Sequence, residues 1–324
     1  MLNGPGLSLS GKTERDRTRI WAVLLFMGYW IIFAAEFFMI RFQRGENGLW
    51  VATTAEEPAP WLVILILCVS GISVLLSAVY AVQRVRTRRQ RDWLWFSPEV
   101  AGVDVLHVIA WVHVFQTCTL LLYGLVLPAN LFAAGSAGSF LESASLQLFI
   151  LVLVPLMFRG RLRELGVCRP RRLGLMVVVL ILLFLAVMLL LDTAVTRPFA
   201  EWLGLSLDSE REKLIEREIV HAKGQDSWAI LASLLVIGGL VPLAEELLFR
   251  GVVQTYLVRR AGAVLGIFLS SLWFALMHVD VALFAPLFVM GVFLGYLRHH
   301  FQSIWGAVIL HALNNIVGVL YYFQ

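Results

Sequence analysis

The sequence predicts an all-α, polytopic membrane helical bundle of about nine transmembrane helices, with the N-terminus in the cytoplasm. Three observations predict it. Hydrophobic residues make up 60% of the 324 and the mean hydropathy is +0.82, values far from those of a soluble domain. Charged residues, only 15%, gather into short blocks between apolar runs. Those runs recur at roughly the 20 residues a helix needs to cross a bilayer.

In chain order the runs lie near 20–41, 60–82, 103–127, 145–158, 173–195, 227–249, 262–278, 281–297 and 303–321. The first follows a charged leader with no small-residue cleavage site, so it reads as a retained anchor. The third extends to about 133 on a generous reading. The fourth is short enough for a re-entrant segment, which leaves eight spans as the alternative count. Lys and Arg set the orientation. With nine spans and a cytoplasmic N-terminus, 19 of the 26 basic residues fall on the cytoplasmic side.

The net charge of +4 is therefore topology and not a nucleic-acid surface, because the arginines stand at span ends and not on one soluble face. No nucleic-acid partner is implied. Cys68 and Cys118 fall within spans and Cys168 in an arginine-rich loop, which argues against a disulfide framework. Arginine outnumbers lysine 23 to 3, the balance of a GC-rich bacterial genome, so the expected location is a bacterial cytoplasmic (inner) membrane. The stretch at 201–226 has helix-forming residues with Leu214, Ile215, Ile219 and Val220 at helical spacing, an amphipathic segment for the membrane surface. Sequence character changes near residue 160. It divides an N-terminal membrane region, 1–159, from a C-terminal membrane region, 160–324, that carries the chemistry.

Three short stretches carry that chemistry: AEELLFR, WFALMH and HALNN. In the first, Glu246 and Arg250 are four apart and share a helix face, where an ion pair neutralises both. Glu245 points about 100° away and is the carboxylate left for chemistry. Gly238, Gly239 and Pro242 just upstream should kink the helix and release backbone carbonyls, which a membrane tolerates only where protein or a wet cavity receives them. In the second, Phe274 and His278 are one turn apart. Glu245 and His278 are equidistant from Ala261 and Gly262, so an antiparallel hairpin turning there puts both at one level, roughly 25 Å from the turn. In the third, His311 and Asn315 are four apart and face one cavity.

Two imidazoles, a carboxylate and an amide suffice to hydrolyse an acyl bond. Glu245, assisted by His278, would take a proton from water while His311 and Asn315 donate to the developing oxyanion. The same Glu245, His278 and His311 could instead hold a divalent metal such as zinc with a position left for water. The spacing leaves both versions open, since there is no HExxH helix. Single intramembrane ionisable residues are often structural, but three motifs on three spans converge for a reason. Glu36, Asp104, His107, His113 and Asp192 are read as structural, His107 and His113 lying about 120° apart on a helix, and His299 and His300 as solvated residues of the cytoplasmic edge.

The order EExxxR, FxxxH, HxxxN, each on its own span, resembles the CPBP family of intramembrane proteases, which includes the type II CAAX prenyl endopeptidases and the bacterial abortive-infection-like proteins. RELGVCRPRRL, SSLWFALMH and GVFLGYLRHHFQSIWGAVILHALNN are similar to that family's phrasing, so the resemblance covers roughly 160–320. It implies an endopeptidase cutting a membrane-associated protein or peptide within or beside the lipid bilayer. Glu245, His278, His311 and Asn315 match the catalytic positions, and Glu246 and Arg250 the supporting ones. Prenylated CAAX proteins are a eukaryotic substrate class, so a bacterial member is expected to cut a small peptide or a membrane-protein tail. Two other classes compete: a non-catalytic membrane scaffold or immunity protein that binds a peptide or sensor kinase, and an ion-coupled transporter. The transporter predicts inverted repeats, which the sequence does not display.

Overall fold

The computed structural model describes residues 18–55, 57–90, 99–132, 136–207, 213 and 227–322. Most of the amphipathic stretch predicted at 201–226, and the charged leader before Thr18, lie outside the described residues.

The first half holds α1 (Arg19–Phe38), a hairpin of β1 (Ile40–Arg44) and β2 (Trp50–Thr54), α2 (Pro60–Gln90), α3 (Gly102–Leu121) and α4 (Ala137–Met157). Then come α5 (Leu173–Leu191) and a short α6 (Arg197–Leu203). The rod α7 spans 227–261 with two π-helical interruptions, Val236–Leu240 and Leu247–Val253. It is followed by α8 (Ala263–Leu276), α9 (Phe284–Phe301) and α10 (Trp305–Tyr322). Among the described residues, a helical rod thus stands at each of the nine predicted apolar runs. Six helices there are long and apolar enough to cross a membrane, with α8 and α10 shorter.

Three boundaries differ from expectation. α4 begins at Ala137, because the polar AGSFLESAS stretch is helical and Ser136 caps it by accepting the Ser139 N–H at 3.1 Å; no re-entrant segment is needed. α7 runs on to Ala261 past the point where Arg250 and Gln254 interrupt the hydropathy, since both are buried and bonded inside the protein. α8, at 14 residues, is about 21 Å long, short of a bilayer core of about 30 Å. Its far end therefore lies at depth, where non-helical backbone must be sheltered by protein or water. No reading of the sequence predicts the β-hairpin. It docks on the end of α6 through Trp50 N–H to the Gly204 carbonyl and Ser206 N–H to the Trp50 carbonyl, both 2.7 Å.

α7 and α8 form the predicted antiparallel hairpin. The chain reverses at Gly262, whose φ of 83° suits glycine. Phe249 and Phe274, as far from the turn on either arm as each other, meet edge to face at 5.4 Å. The arms touch at Gly266, where an added Cβ would stand 2.5 Å from the Val258 nitrogen. One apolar core unites the two halves of the chain, joining Tyr29, Val105 and Val108 to Leu248, Phe249 and Phe274. Trp30 and Trp273 pack at 5.1 Å across this seam. Leu182, Leu185 and Leu189 of α5 are exposed, a face suited to lipid. Intramembrane polar residues of the first half are held by structural bonds: Asp104 accepts the Ala101 N–H at 2.9 Å, Tyr80 bonds His107 at 2.9 Å and Ser73 bonds His113 at 2.8 Å.

Gly266→Ala pushes a methyl into the backbone of α7 and should destabilise the fold by about 1–3 kcal/mol. Gly174→Ala at the start of α5 meets open space and should leave stability within about 0.5 kcal/mol. Thermal unfolding of the two variants in detergent compares them directly.

Candidate active site

Pro242 starts the site. In the π turn Val236–Leu240 the Val241 N–H bonds the Val236 carbonyl, five residues back. The same pattern would require the Ile237 carbonyl to accept from residue 242, and proline has no N–H. A carbonyl left bare in lipid is costly. Asn315 Nδ2 donates to it at 3.0 Å, tying α10 to the break. At the same level Gly238 lets α10 approach, since a Cβ there would stand 2.6 Å from Ile316 Cγ1. The released carbonyl predicted from Gly238, Gly239 and Pro242 is thus present, and its receiver is Asn315.

Below the break Glu246 and Arg250 are both fully buried. Arg250 Nε lies 3.2 Å from Glu246 Oε2, an ion pair whose N–H is not aligned for a hydrogen bond. Arg250 Nη2 donates to the Gly291 carbonyl at 3.2 Å, and its Cζ stands 4.6 Å over the Phe274 ring. Gln254, one turn on, donates to the Gly295 carbonyl at 2.9 Å. Gly291 and Gly295 let α9 come close to α8: Cβ atoms there would meet Ser271 at 3.0 Å and Ile267 at 2.8 Å. These two glycines are a small-xxx-small pair, the signal from which this support could have been read.

His311 stands at the centre. Its Nδ1 is 3.0 Å from Glu246 Oε1, and a carboxylate only accepts, so Nδ1–H donates. Nε2 then faces Glu245, with Oε2 at 4.0 Å. The two glutamates differ in access: the Glu245 side chain is 21% exposed and that of Glu246 is 0%. Glu246 is therefore more than an ion-pair partner; it aims His311. His278 is aimed likewise, since Nδ1 lies 2.8 Å from the Phe274 carbonyl and must donate to it, leaving Nε2 an acceptor in the neutral ring. The Phe274 ring packs on both imidazoles, at 4.8 Å from His278 and 5.7 Å from His311. Val279 follows with φ 50°, a left-handed conformation costly for a β-branched residue, directly beside His278 where α8 ends.

All six predicted residues thus belong to one neighbourhood, built by α7, α8 and α10 with α9 behind. The roles of Phe274, through its carbonyl and its ring, and of Ile237, through its carbonyl, escape sequence reading. For Phe274 the four-residue spacing to His278 is the available signal. Among the described residues no three His, Cys, Asp or Glu side chains are gathered closely enough to hold a metal ion. Glu245, His278 and His311 are not drawn into such a group.

The bundle and this site define an integral membrane protein with an acid–imidazole centre inside its helices. Residues 227–317 match the family model described as type II CAAX prenyl endopeptidase Rce1-like, and all six site residues fall inside the match. That segment is similar to the Rce1-like family, whose description is that of an endopeptidase. The match is shorter than the roughly 160–320 that the sequence motifs resemble. Neither the comparison with curated proteins nor that with solved structures gives a match.

Truncating either end of the buried network should unsettle the fold. Arg250→Met strands the Glu246 carboxylate and should cost about 3–5 kcal/mol, whereas Arg250→Met with Glu246→Leu leaves no lone charge and should recover part of that loss. Asn315→Ala leaves the Ile237 carbonyl bare and should cost about 1–3 kcal/mol. Chemical unfolding in detergent reads all three.

Proposed function

We propose that the protein is an intramembrane endopeptidase that hydrolyses a peptide bond of a membrane-associated protein or peptide, with Glu245 as the general base. The observation that carries this reading is the line Arg250, Glu246, His311, Glu245, in which two buried charges hold an imidazole against a partly exposed carboxylate. A structural pair needs only the first two members.

A gap of 4.0 Å between His311 Nε2 and Glu245 Oε2 is too long for a direct hydrogen bond and suits a bent water bridge. Water seated there donates one hydrogen to Glu245 and lies against His311 Nε2. Glu245 takes that proton as the oxygen attacks the scissile carbonyl, and later returns it to the departing amine nitrogen. Glu246 accepts from His311 Nδ1–H whether the ring is neutral or protonated, so the ring keeps its aim when Nε2 takes up a proton from solvent before the attack. That Nε2–H donates to the oxyanion and stays on the ring throughout the step. Asn315 gives one amide hydrogen to Ile237 and has a second to offer the same oxygen. His278, its Nδ1–H held by Phe274, presents Nε2 as the assisting base. The competing metal-assisted version uses Glu245, His278 and His311 as ligands and needs those side chains to move together.

Glu245→Gln keeps the shape and removes the base. Cleavage should fall by about 10²–10⁴-fold with the melting temperature in detergent unchanged. Quantifying membrane peptides in cells that carry the wild type or the Glu245→Gln variant should show a precursor accumulating with the variant. Unaltered peptide pools, together with a cellular phenotype preserved by both Glu245→Ala and His278→Ala, would end the enzyme reading, and inactivation by a chelator, reversed by zinc, would favour the metal version.

A further inference from the structure

The β-hairpin takes no part in the site described above, and its two edges differ. β1 and β2 pair Arg41 with Thr53 and Gln43 with Val51. The ladder continues past both ends, from Gly45 N–H to the Leu49 carbonyl and from Ala55 N–H to the Met39 carbonyl. That phase turns the N–H and C=O groups of odd-numbered residues inward and those of even-numbered residues outward. On β2 the outward edge is filled: Trp50 donates to the Gly204 carbonyl and accepts from the Ser206 N–H, both at 2.7 Å. On β1 the outward groups belong to Ile40, Phe42 and Arg44. The Ile40 carbonyl accepts from Arg41 Nη1 at 3.4 Å, whereas the backbone groups of Phe42 and Arg44 meet no partner among the described residues. Phe42 is 51% exposed, and the strand is exposed from Arg41 to Arg44, so this edge is within reach of a ligand.

An open edge is excluded from hydrocarbon. It is the surface to which an extended peptide adds as a further strand, although short charged edges also serve to discourage pairing. Position favours the first role. α6, which holds β2, packs Phe199 against Phe284 at 6.4 Å, and Phe284 opens α9 just beyond the loop that follows His278. α1, which leads into β1, meets the start of the same loop: Tyr29 O–H lies 3.1 Å from the sulfur of Met277, the residue before His278. β1 therefore stands over the end of the bundle where α8 stops. Phe38, the last residue of α1, is about 14 Å along the helix from Tyr29. An extended segment covers that rise in about five residues.

The chemistry asks for the same arrangement. Attack on a peptide carbonyl needs that carbonyl free of a helix, and strand pairing holds a peptide extended through main-chain bonds. Side chains add a charge preference, since β1 and β2 carry Arg41 and Arg44 and no carboxylate. Arg44 lies over the Trp50 ring at 5.3 Å, and Arg41, of opposite parity, lies on the other face. Acidic side chains of an added strand thus meet an arginine on either face.

We propose that β1 takes an extended, acidic segment of the peptide substrate as an added strand, about five residues from the bond that is cut. The identity of this occupant rests on the endopeptidase reading.

The test uses the full chain carrying Glu245→Gln in detergent, with a fluorescent hexapeptide of alternating glutamate and valine and binding read by anisotropy. The peptide should saturate one site and bind at least about tenfold tighter than its lysine–valine counterpart. Phe42→Pro removes an outward N–H and leaves the inward bonds of Arg41 and Gln43 in place. Affinity should fall at least about tenfold, with the melting temperature unchanged. Phe42→Ala keeps the backbone edge and should change affinity less than about threefold. Arg41→Gln with Arg44→Gln should bring the two peptides within about threefold of each other. Absence of saturable binding, equal binding of the two peptides by the unaltered hairpin, or undiminished binding by Phe42→Pro overturns the proposal. So does a dimer that Phe42→Pro converts to monomers, which would assign the edge to a second copy of the chain. Should Phe42→Pro lower the melting temperature, amide hydrogen exchange over residues 40–44 replaces it: slowing by the glutamate peptide supports the added strand, and unchanged exchange overturns it. Cleavage is not read, so failure here leaves the endopeptidase reading standing, and failure of that reading leaves these affinities unaltered.

Discussion

A carboxylate and a guanidinium, both fully buried, decide how the C-terminal helices are arranged. Neither Glu246 nor Arg250 can be left unpaired at such a site, because stranding one charge costs several kcal/mol. The pair alone does not satisfy either group. Arg250 also needs the Gly291 carbonyl and the Phe274 ring face, and Glu246 also takes the His311 Nδ1–H. Satisfying two charges therefore pulls α8, α9 and α10 around α7. The same requirement fixes the tautomer of His311 and its direction toward Glu245.

Backbone hydrogen bonding gives the second constraint. The π turn before Glu245 and the proline inside the rod leave the Ile237 carbonyl with no donor along its own helix, and Asn315 supplies one from α10. π turns are energetically poor on their own and concentrate at functional sites. Here two of them bracket Val241–Glu246, so the segment with both glutamates is rotated relative to the helix on either side. The polar residues therefore serve each other twice: side chains repair the backbone, and the repaired backbone aims the side chains. The same reciprocity appears at the opposite end of the site, where the Phe274 carbonyl holds His278.

Much of this is legible in the chain. Spacing of four puts Glu246 with Arg250, Phe274 with His278 and His311 with Asn315. Equal distance from the turn at Ala261 and Gly262 puts Glu245 level with His278, and Phe249 meeting Phe274 bears out that register. The nine apolar runs correspond to helical rods. Hydropathy fails at charged or polar turns that the protein shelters, which is why the run ending near 249 stops short of Ala261 and the run starting near 145 begins late. It also gives no warning of the β-hairpin after α1, whose docking on α6 is a long-range contact.

The order of the long helical rods, the six candidate residues and the faces they share follow from the chain alone, because helical periodicity and the cost of burying charge in lipid act locally. Which nitrogen meets which oxygen does not. That Glu246 serves His311 as well as Arg250, that Asn315 caps Ile237, and that Gln254 donates to the Gly295 carbonyl depend on how α7, α9 and α10 cross. Crossing geometry is set by small residues such as Gly238, Gly291 and Gly295, whose contribution is the space they leave, and only the packed helices reveal what fills it.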